Sequence, residues 1–347
     1  QSTSNIGNAM SGAGDVNGDG YDDIIVGASR LNNVVYHEGA SFLYLGSSTG
    51  VSNSDSIRIE MNQNGAEFGR SVSSAGDVNG DGYDDVIISA SRYDNGQTDE
   101  GVTFLFFGSA LGLDTSSSIL LEENQTSALF GSSVSNAGDV NGDGYNDILI
   151  GAGRYDNGQS NEGAAFIYYG SSSGVVIDSS TSVSSGQSSS KFGYSLSGAG
   201  DVNGDGYSDA IVGAFKYDNG QTDEGAAFLF YGSSLGLSAS SIHLEQNQSY
   251  SSFGVSVSSA GDVNGDGYSD VVVGAISYDN GQTDEGAAFI YLGSSSGIST
   301  TANSQMESNQ VSANFGISVS SAGDVNGDGY SDVIVGSHRY DNGQTDE

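Results

Sequence analysis

The chain has 347 residues, with 54 Gly, no Cys, no Trp and no Pro, and 44 acidic residues against 8 basic ones give it a formal net charge of −36. The lack of Cys excludes disulfide staples and thiolate metal sites, and the charge disfavours nucleic acid and anionic lipid while favouring cations. Hydrophobic residues still make up 36% of the chain, in short β-branched and aromatic clusters, so the polar composition reads as turns around many short strands rather than as disorder.

From the N-terminus onward, one unit repeats. It opens on a run with an FG pair: Ile6-Gly7 in the first copy, then Phe68-Gly69, Phe130-Gly131, Phe192-Gly193, Phe253-Gly254 and Phe315-Gly316. The string DVNGDGYxD follows, starting at Asp15, Asp77, Asp139, Asp201, Asp262 and Asp324, with spacings of 62, 62, 62, 61 and 62 residues. Next come an apolar run such as DVIISA (85–90), a polar loop such as YDNGQTDEG (93–101), an aromatic run such as AAFIYYG (164–170), a Ser/Gly-rich turn and a short run such as SIRIEM (56–61). The four apolar segments are 5–8 residues long and bounded by Gly, Asn, Asp or Ser, which are strand signals. None has the 3.6-residue periodicity of a helix. Four strands in a unit of this size predict one blade of an all-β propeller. A β-solenoid coil of ~20–30 residues is too short to hold them.

The units run 1–62, 63–124, 125–186, 187–247, 248–309 and 310–347, the last stopping after its second strand. The expectation is therefore a single propeller over 1–347, of six or seven blades if completed. An open last blade would present unpaired backbone groups that could take strands from a neighbour, head to tail. Gln1 is not a start residue, so the chain is read as processed, excised or a fragment. No apolar run approaches the ~18 residues of a membrane span, and no membrane insertion is expected.

The DVNGDGYxD loop carries the chemistry. In the first copy the side-chain oxygens of Asp15, Asn17 and Asp19 stand at positions 1, 3 and 5, the carbonyl of Tyr21 at 7, and the carboxylate of Asp23 at 9. Gly20 at position 6 permits a sharp turn with positive φ. Alternate residues of a tight loop can turn their oxygens toward one ion, as in the early half of the EF-hand scheme. No Glu stands at position 12, and strands flank the loop in place of helices. The same set is Asp77, Asn79, Asp81, Tyr83 and Asp85 in the second copy, and Asp139, Asn141, Asp143, Tyr145 and Asp147 in the third. The fourth has Asp201, Asn203, Asp205, Tyr207 and Asp209. The fifth has Asp262, Asn264, Asp266, Tyr268 and Asp270, and the sixth Asp324, Asn326, Asp328, Tyr330 and Asp332. All-oxygen ligation with three carboxylates and no His or Cys suits Ca²⁺, about one per loop and six in all. Six such ions would move the net charge from −36 to about −24. Without them, two like charges ~4 Å apart repel by about 4 kcal/mol at an effective dielectric near 20. The YDNGQTDEG loop is read as a structural turn built on its Asn-Gly pair, with a further cation or ligand site as the alternative.

The FG pair and the acidic loop, together and across the whole chain, resemble the FG-GAP repeat family, whose repeats form the integrin alpha-subunit propeller and occur in many bacterial surface proteins. The resemblance implies calcium held by loop residues 1, 3, 5 and 9 with the seventh carbonyl. It also implies partner-binding loops away from the metal face. One departure is the missing proline of the GAP half, which reads GAS (27–29), SAS (89–91), GAG (151–153), GAF (213–215), GAI (274–276) and GSH (336–338). The strand is therefore expected to end more loosely or later. No enzyme is expected. His37, His243 and His338 fall at different places in the repeat, and no GxSxG elbow is present. The expected role is a secreted or cell-surface module for adhesion or for binding an extracellular protein or glycan. The alternatives are a structural subunit assembling through the open blade, and an accessory domain of a secreted hydrolase, since the family resembled includes glycosylphosphatidylinositol-specific phospholipase D.

Overall fold

The computed structural model describes residues 5–51, 56–177 and 181–343. Every named element among them is a strand, and none is a helix long and apolar enough to cross a membrane. The first repeat contributes β1 (Ile6–Gly14), β2 (Asp23–Ala28), β3 (Ala40–Tyr44) and β4 (Ile57–Ile59). The second contributes β5 (Phe68–Gly76), β6 (Asp85–Ala90), β7 (Val102–Phe106) and β8 (Ile119–Leu121). The third has β9 (Phe130–Gly138), β10 (Asp147–Ala152), β11 (Ala164–Tyr168) and β12 (Thr181–Val183), and the fourth β13 (Ser195–Gly200), β14 (Asp209–Ala214), β15 (Ala226–Phe230) and β16 (Ser241–Leu244). The fifth has β17 (Phe253–Gly261), β18 (Asp270–Ala275), β19 (Ala287–Tyr291) and β20 (Ser304–Glu307), and the sixth β21 (Phe315–Gly323) and β22 (Asp332–Ser337). Each of the first five repeats is a four-stranded antiparallel meander in chain order, and the sixth is a two-stranded sheet. These are the blades of a propeller, as the four-segment pattern predicts.

Two compact units contain the described residues. One draws on Gln1–Gly138, Gly144–Asp156 and Ala164–Ser182, the other on Asp139–Asp143, Asn157–Gly163 and Val183–Glu347. In the first unit, Phe68, Phe104, Phe106, Val86 and Ile88 of the second blade pack with Ile25 and Leu43 of the first. In the second, Phe253, Phe289, Tyr291 and Val273 pack with Ile211, Leu229 and Leu244 of the preceding blade. Strands β6, β10, β14 and β18 are buried along their whole length, because both faces are covered. That is why their sequences are continuous Val/Ile runs without alternation.

The FG pair joins one blade to the next. The Phe amide donates to the carbonyl of a Glu in the preceding blade: Phe68 to Glu38 at 3.0 Å and Phe130 to Glu100 at 2.8 Å. Phe253 and Phe315 do the same with Glu224 and Glu285. The Gly after that Glu lies against the Phe backbone. A Cβ on Gly101 would fall 2.2 Å from the Phe130 carbonyl oxygen, and its φ is +83°. We therefore expect G101A to lose roughly 3 kcal/mol or more in denaturant unfolding. Gly12→Ala, with open space at its Cβ, should change stability by less than about 1 kcal/mol. Equal effects would contradict this account of the junction.

The strand that lacks the GAP proline ends at the same place in each blade. It ends at Ala28, Ala90, Ala152, Ala214 and Ala275 in the first five blades. A backbone turn closes it there, with Tyr93 N donating to Ala90 O and Tyr155 N to Ala152 O, each at 3.0 Å. The ordered turn comes from this hydrogen bond rather than from a fixed φ.

Candidate metal centre

A register shift between Ser74/Val86 and Gly76/Asp85 ends the pairing of β5 with β6 and releases the chain into the acidic loop. Within the loop, side-chain oxygens gather on backbone amides. Asp81 N donates to Asp77 Oδ1 at 3.1 Å and to Asn79 Oδ1 at 2.9 Å, so the oxygens of positions 1 and 3 meet at one amide. Gly82 N donates to Asp77 Oδ2, and Tyr83 N to Asp81 Oδ1. Asn79 Nδ2 donates to Asp81 Oδ2 at 3.0 Å, linking positions 3 and 5. The pattern recurs in the first loop around Asp15, Asn17 and Asp19, and in the fourth, fifth and sixth loops. In the third, Asp139 Oδ1 and Asn141 Oδ1 both accept from Asp143 N. Gly82 has φ +89° and Gly20 +87°, the left-handed turn expected at position 6.

The position-9 carboxylate is different in kind. Asp23, Asp85, Asp147, Asp209 and Asp270 are fully buried. Asp85 accepts from Val78 N and from Gly108 N, each at 3.0 Å, and so ties its own loop to the turn after the aromatic strand. Asp209 does the same with Val202 N and Gly232 N, and Asp270 with Val263 N and Gly293 N. Burial pushes Asp85 and Asp209 up to about 7; the amide bonds oppose this, and the negative charges at positions 5 and 1 add to it. Asp23 and Asp270 shift upward for the same causes. In the sixth loop Asp324 shifts downward, chiefly through the amide bond from Gly329.

Among the described residues, no group of three or more His, Cys, Asp or Glu side chains is gathered as a ready-made metal cluster. The donor set nevertheless fits a hard cation. Positions 1, 3, 5 and 9 supply oxygen only, and three of the four are carboxylates. Asp77 Oδ1 accepts from both Gly80 N and Asp81 N, but Asp77 Oδ2, Asp81 Oδ1 and both oxygens of Asp85 accept one amide bond each and keep a further lone pair. Positive charge is what the loop lacks.

Sequence reasoning missed two sets of residues. Glu38, Glu100, Glu162, Glu224 and Glu285 are buried. Glu100 Oε1 accepts from the amides of Asn95 and Gln97, which makes YDNGQTDEG a stapled turn. Gln63 clasps the same loop from outside, its Oε1 accepting from Asp94 N at 2.7 Å and its Nε2 donating to Asp94 O at 2.9 Å. Gln125, Gln187, Gln248 and Gln310 each clasp an Asp 31 residues on. The missed signal was periodicity, since both sets recur in phase with the acidic loops. Part of the sixth copy, 344–347, lies outside the described residues. His37 stacks on Tyr36, and His243 packs on Phe228.

Repeated antiparallel blades, each carrying an oxygen-rich acidic loop between its first and second strands, define a repeat propeller. The chain belongs to the FG-GAP repeat family, whose model matches residues 7–44, 68–106, 130–168, 192–230, 253–291 and 315–347. It is similar to integrin alpha subunits. It shares 32% identity with Integrin alpha pat-2 of Caenorhabditis briggsae over 59% of this chain and 18% of that protein. With Integrin alpha-5 of Xenopus laevis it shares 31% over 67% and 22%, and with human Integrin alpha-IIb 37% over 46% and 16%. The chain thus matches only about a fifth of the length of these relatives.

Proposed function

We propose that residues 1–347 form one calcium-loaded extracellular propeller that serves adhesion by binding a protein or glycan, and that it is not an enzyme. The ligands are positions 1, 3, 5 and 9 of each acidic loop, with the carbonyl of the position-7 Tyr. The observation that carries this reading is the recurrence, in the first, second, fourth and fifth loops, of a geometry in which a buried carboxylate is disfavoured as an anion by burial and by two acidic neighbours. A bound divalent ion would supply the countercharge. Similarity to integrin alpha subunits supports the adhesive role and the surface location. Calcium modules outside the cell bind at about 10⁻⁴–10⁻³ M, which matches external calcium.

Two measurements test this. Equilibrium dialysis in millimolar calcium should give about six ions per chain, and a value near zero would remove the metal. Immobilised extracellular-matrix proteins and a glycan array should then show saturable binding in calcium that chelator abolishes. Equal binding with and without chelator would remove the calcium dependence.

A further inference from the structure

The acidic loops touch one another in series. Position 8 of each loop donates its amide to the carbonyl of position 1 in the loop before it: Asp84 to Asp15 at 3.2 Å, Ser269 to Asp201 at 3.0 Å and Ser331 to Asp262 at 2.9 Å. Asn146 and Ser208 make the same bond to Asp77 and Asp139. The position-7 ring seats the contact. A Cβ on Gly18 would fall 2.7 Å from Tyr83 Cε1, and one on Gly204 2.5 Å from Tyr268 Cε1. The turn that follows the aromatic strand adds a second tie, with Ser109 N donating to Val16 O at 3.0 Å.

One difference stands out among these contacts. At the first loop the docking residue is Asp84, and its carboxylate Oδ2 also accepts from Asp15 N at 2.8 Å. A fourth negative charge therefore sits against the residue that opens the first loop. The fourth and fifth loops meet neutral Ser269 and Ser331 in that place.

From this we infer that position 8 of one loop is a positioning and affinity-setting residue for the cation of the preceding loop. The first loop, completed by Asp84, is then tighter than the fourth, completed by Ser269. This inference rests on the cation reading proposed above. It adds that the ligand string alone, which is the same in every repeat, does not set affinity. The backbone bond fixes the carbonyl end of position 1. The charge at position 8 raises the local attraction for a cation at a distance where water screens it only in part.

The test follows calcium titrations of the full chain by the amide resonances of selectively ¹⁵N-labelled glycine, with Gly20 and Gly206 reporting the first and fourth loops. D84S should raise the calcium midpoint of Gly20 by roughly three- to tenfold and leave Gly267 unchanged. S269D should lower the midpoint of Gly206 by a similar factor and leave Gly20 unchanged. Serine already fills this place in three repeats, so the fold tolerates it, and the second variant is a gain that a damaged fold does not produce. Midpoints that stay put, or that move equally in all loops, overturn the inference. If no glycine responds to calcium in the parent chain, it is the cation reading itself that fails.

Discussion

Chelating calcium is expected to lower the melting temperature of this chain by on the order of 10–20 °C. Each loop with a dissociation constant near 10⁻⁴ M gains about 2 kcal/mol in ~2 mM calcium, because only the folded loop gathers the ligands. Six loops would sum to about 10 kcal/mol, comparable to the whole stability of many domains. In a protein of this size each kcal/mol moves the midpoint by about 1–2 °C. Calorimetry with and without chelator measures it, and an unchanged midpoint would refute the metal reading. The chelated chain should also respond to pH in a set direction. Asp85 and Asp209 are pushed up to about 7 in the fold, against a carboxylate's ordinary ~3.9 when unfolded. Between those values the folded state holds the extra protons, so stability falls as pH rises from about 4 to about 7. With calcium present the trend reverses, because protons then compete with the ion for the same oxygens.

Most of the blade was legible in the sequence. The recurrence of DVNGDGYxD located the turn between the first two strands. The unbroken Val/Ile runs, as in DVVVGA at 270–275, located strands with both faces covered. What was not legible was the second use of residues that already had a reading. Asp85 reads as a ligand by spacing, and nothing in its spacing shows that its carboxylate also holds Gly108 N across 23 residues. Glu100 reads as a loop acid, since an acidic side chain in a polar loop is ordinarily solvated. Its burial arises because the loop wraps around it and feeds it two amides. Where the GAP proline is missing, the strand is closed by a backbone hydrogen bond from Tyr93 N to Ala90 O, which the motif does not show either. In each case the deciding interaction joins backbone to a distant group, and a motif names only side chains.

This double use separates two variants that a ligand list would treat alike. Asp81→Ala and Asp85→Ala each remove one carboxylate proposed to hold the second loop's cation. Asp81 is exposed, and in the fold it accepts bonds from Tyr83 N and Asn79 Nδ2. Its loss should remove that loop's calcium gain of about 2 kcal/mol. In chelator it should leave the chain within about 1 kcal/mol of the parent, since the lost bonds are offset by relief of repulsion at Asp85. Asp85 is fully buried, and its removal strands the amides of Val78 and Gly108 without partners. At about 1–3 kcal/mol for each stranded group, D85A should lose roughly 3–5 kcal/mol, and the loss should persist in chelator. D85N keeps the volume and one acceptor oxygen, so it should fall between the two. Urea unfolding of the three variants in calcium and in chelator gives six numbers that fix the pattern. If D85A regains the stability of the parent once calcium is removed from both, position 9 acts through the ion alone, and its role in holding the blade together is wrong.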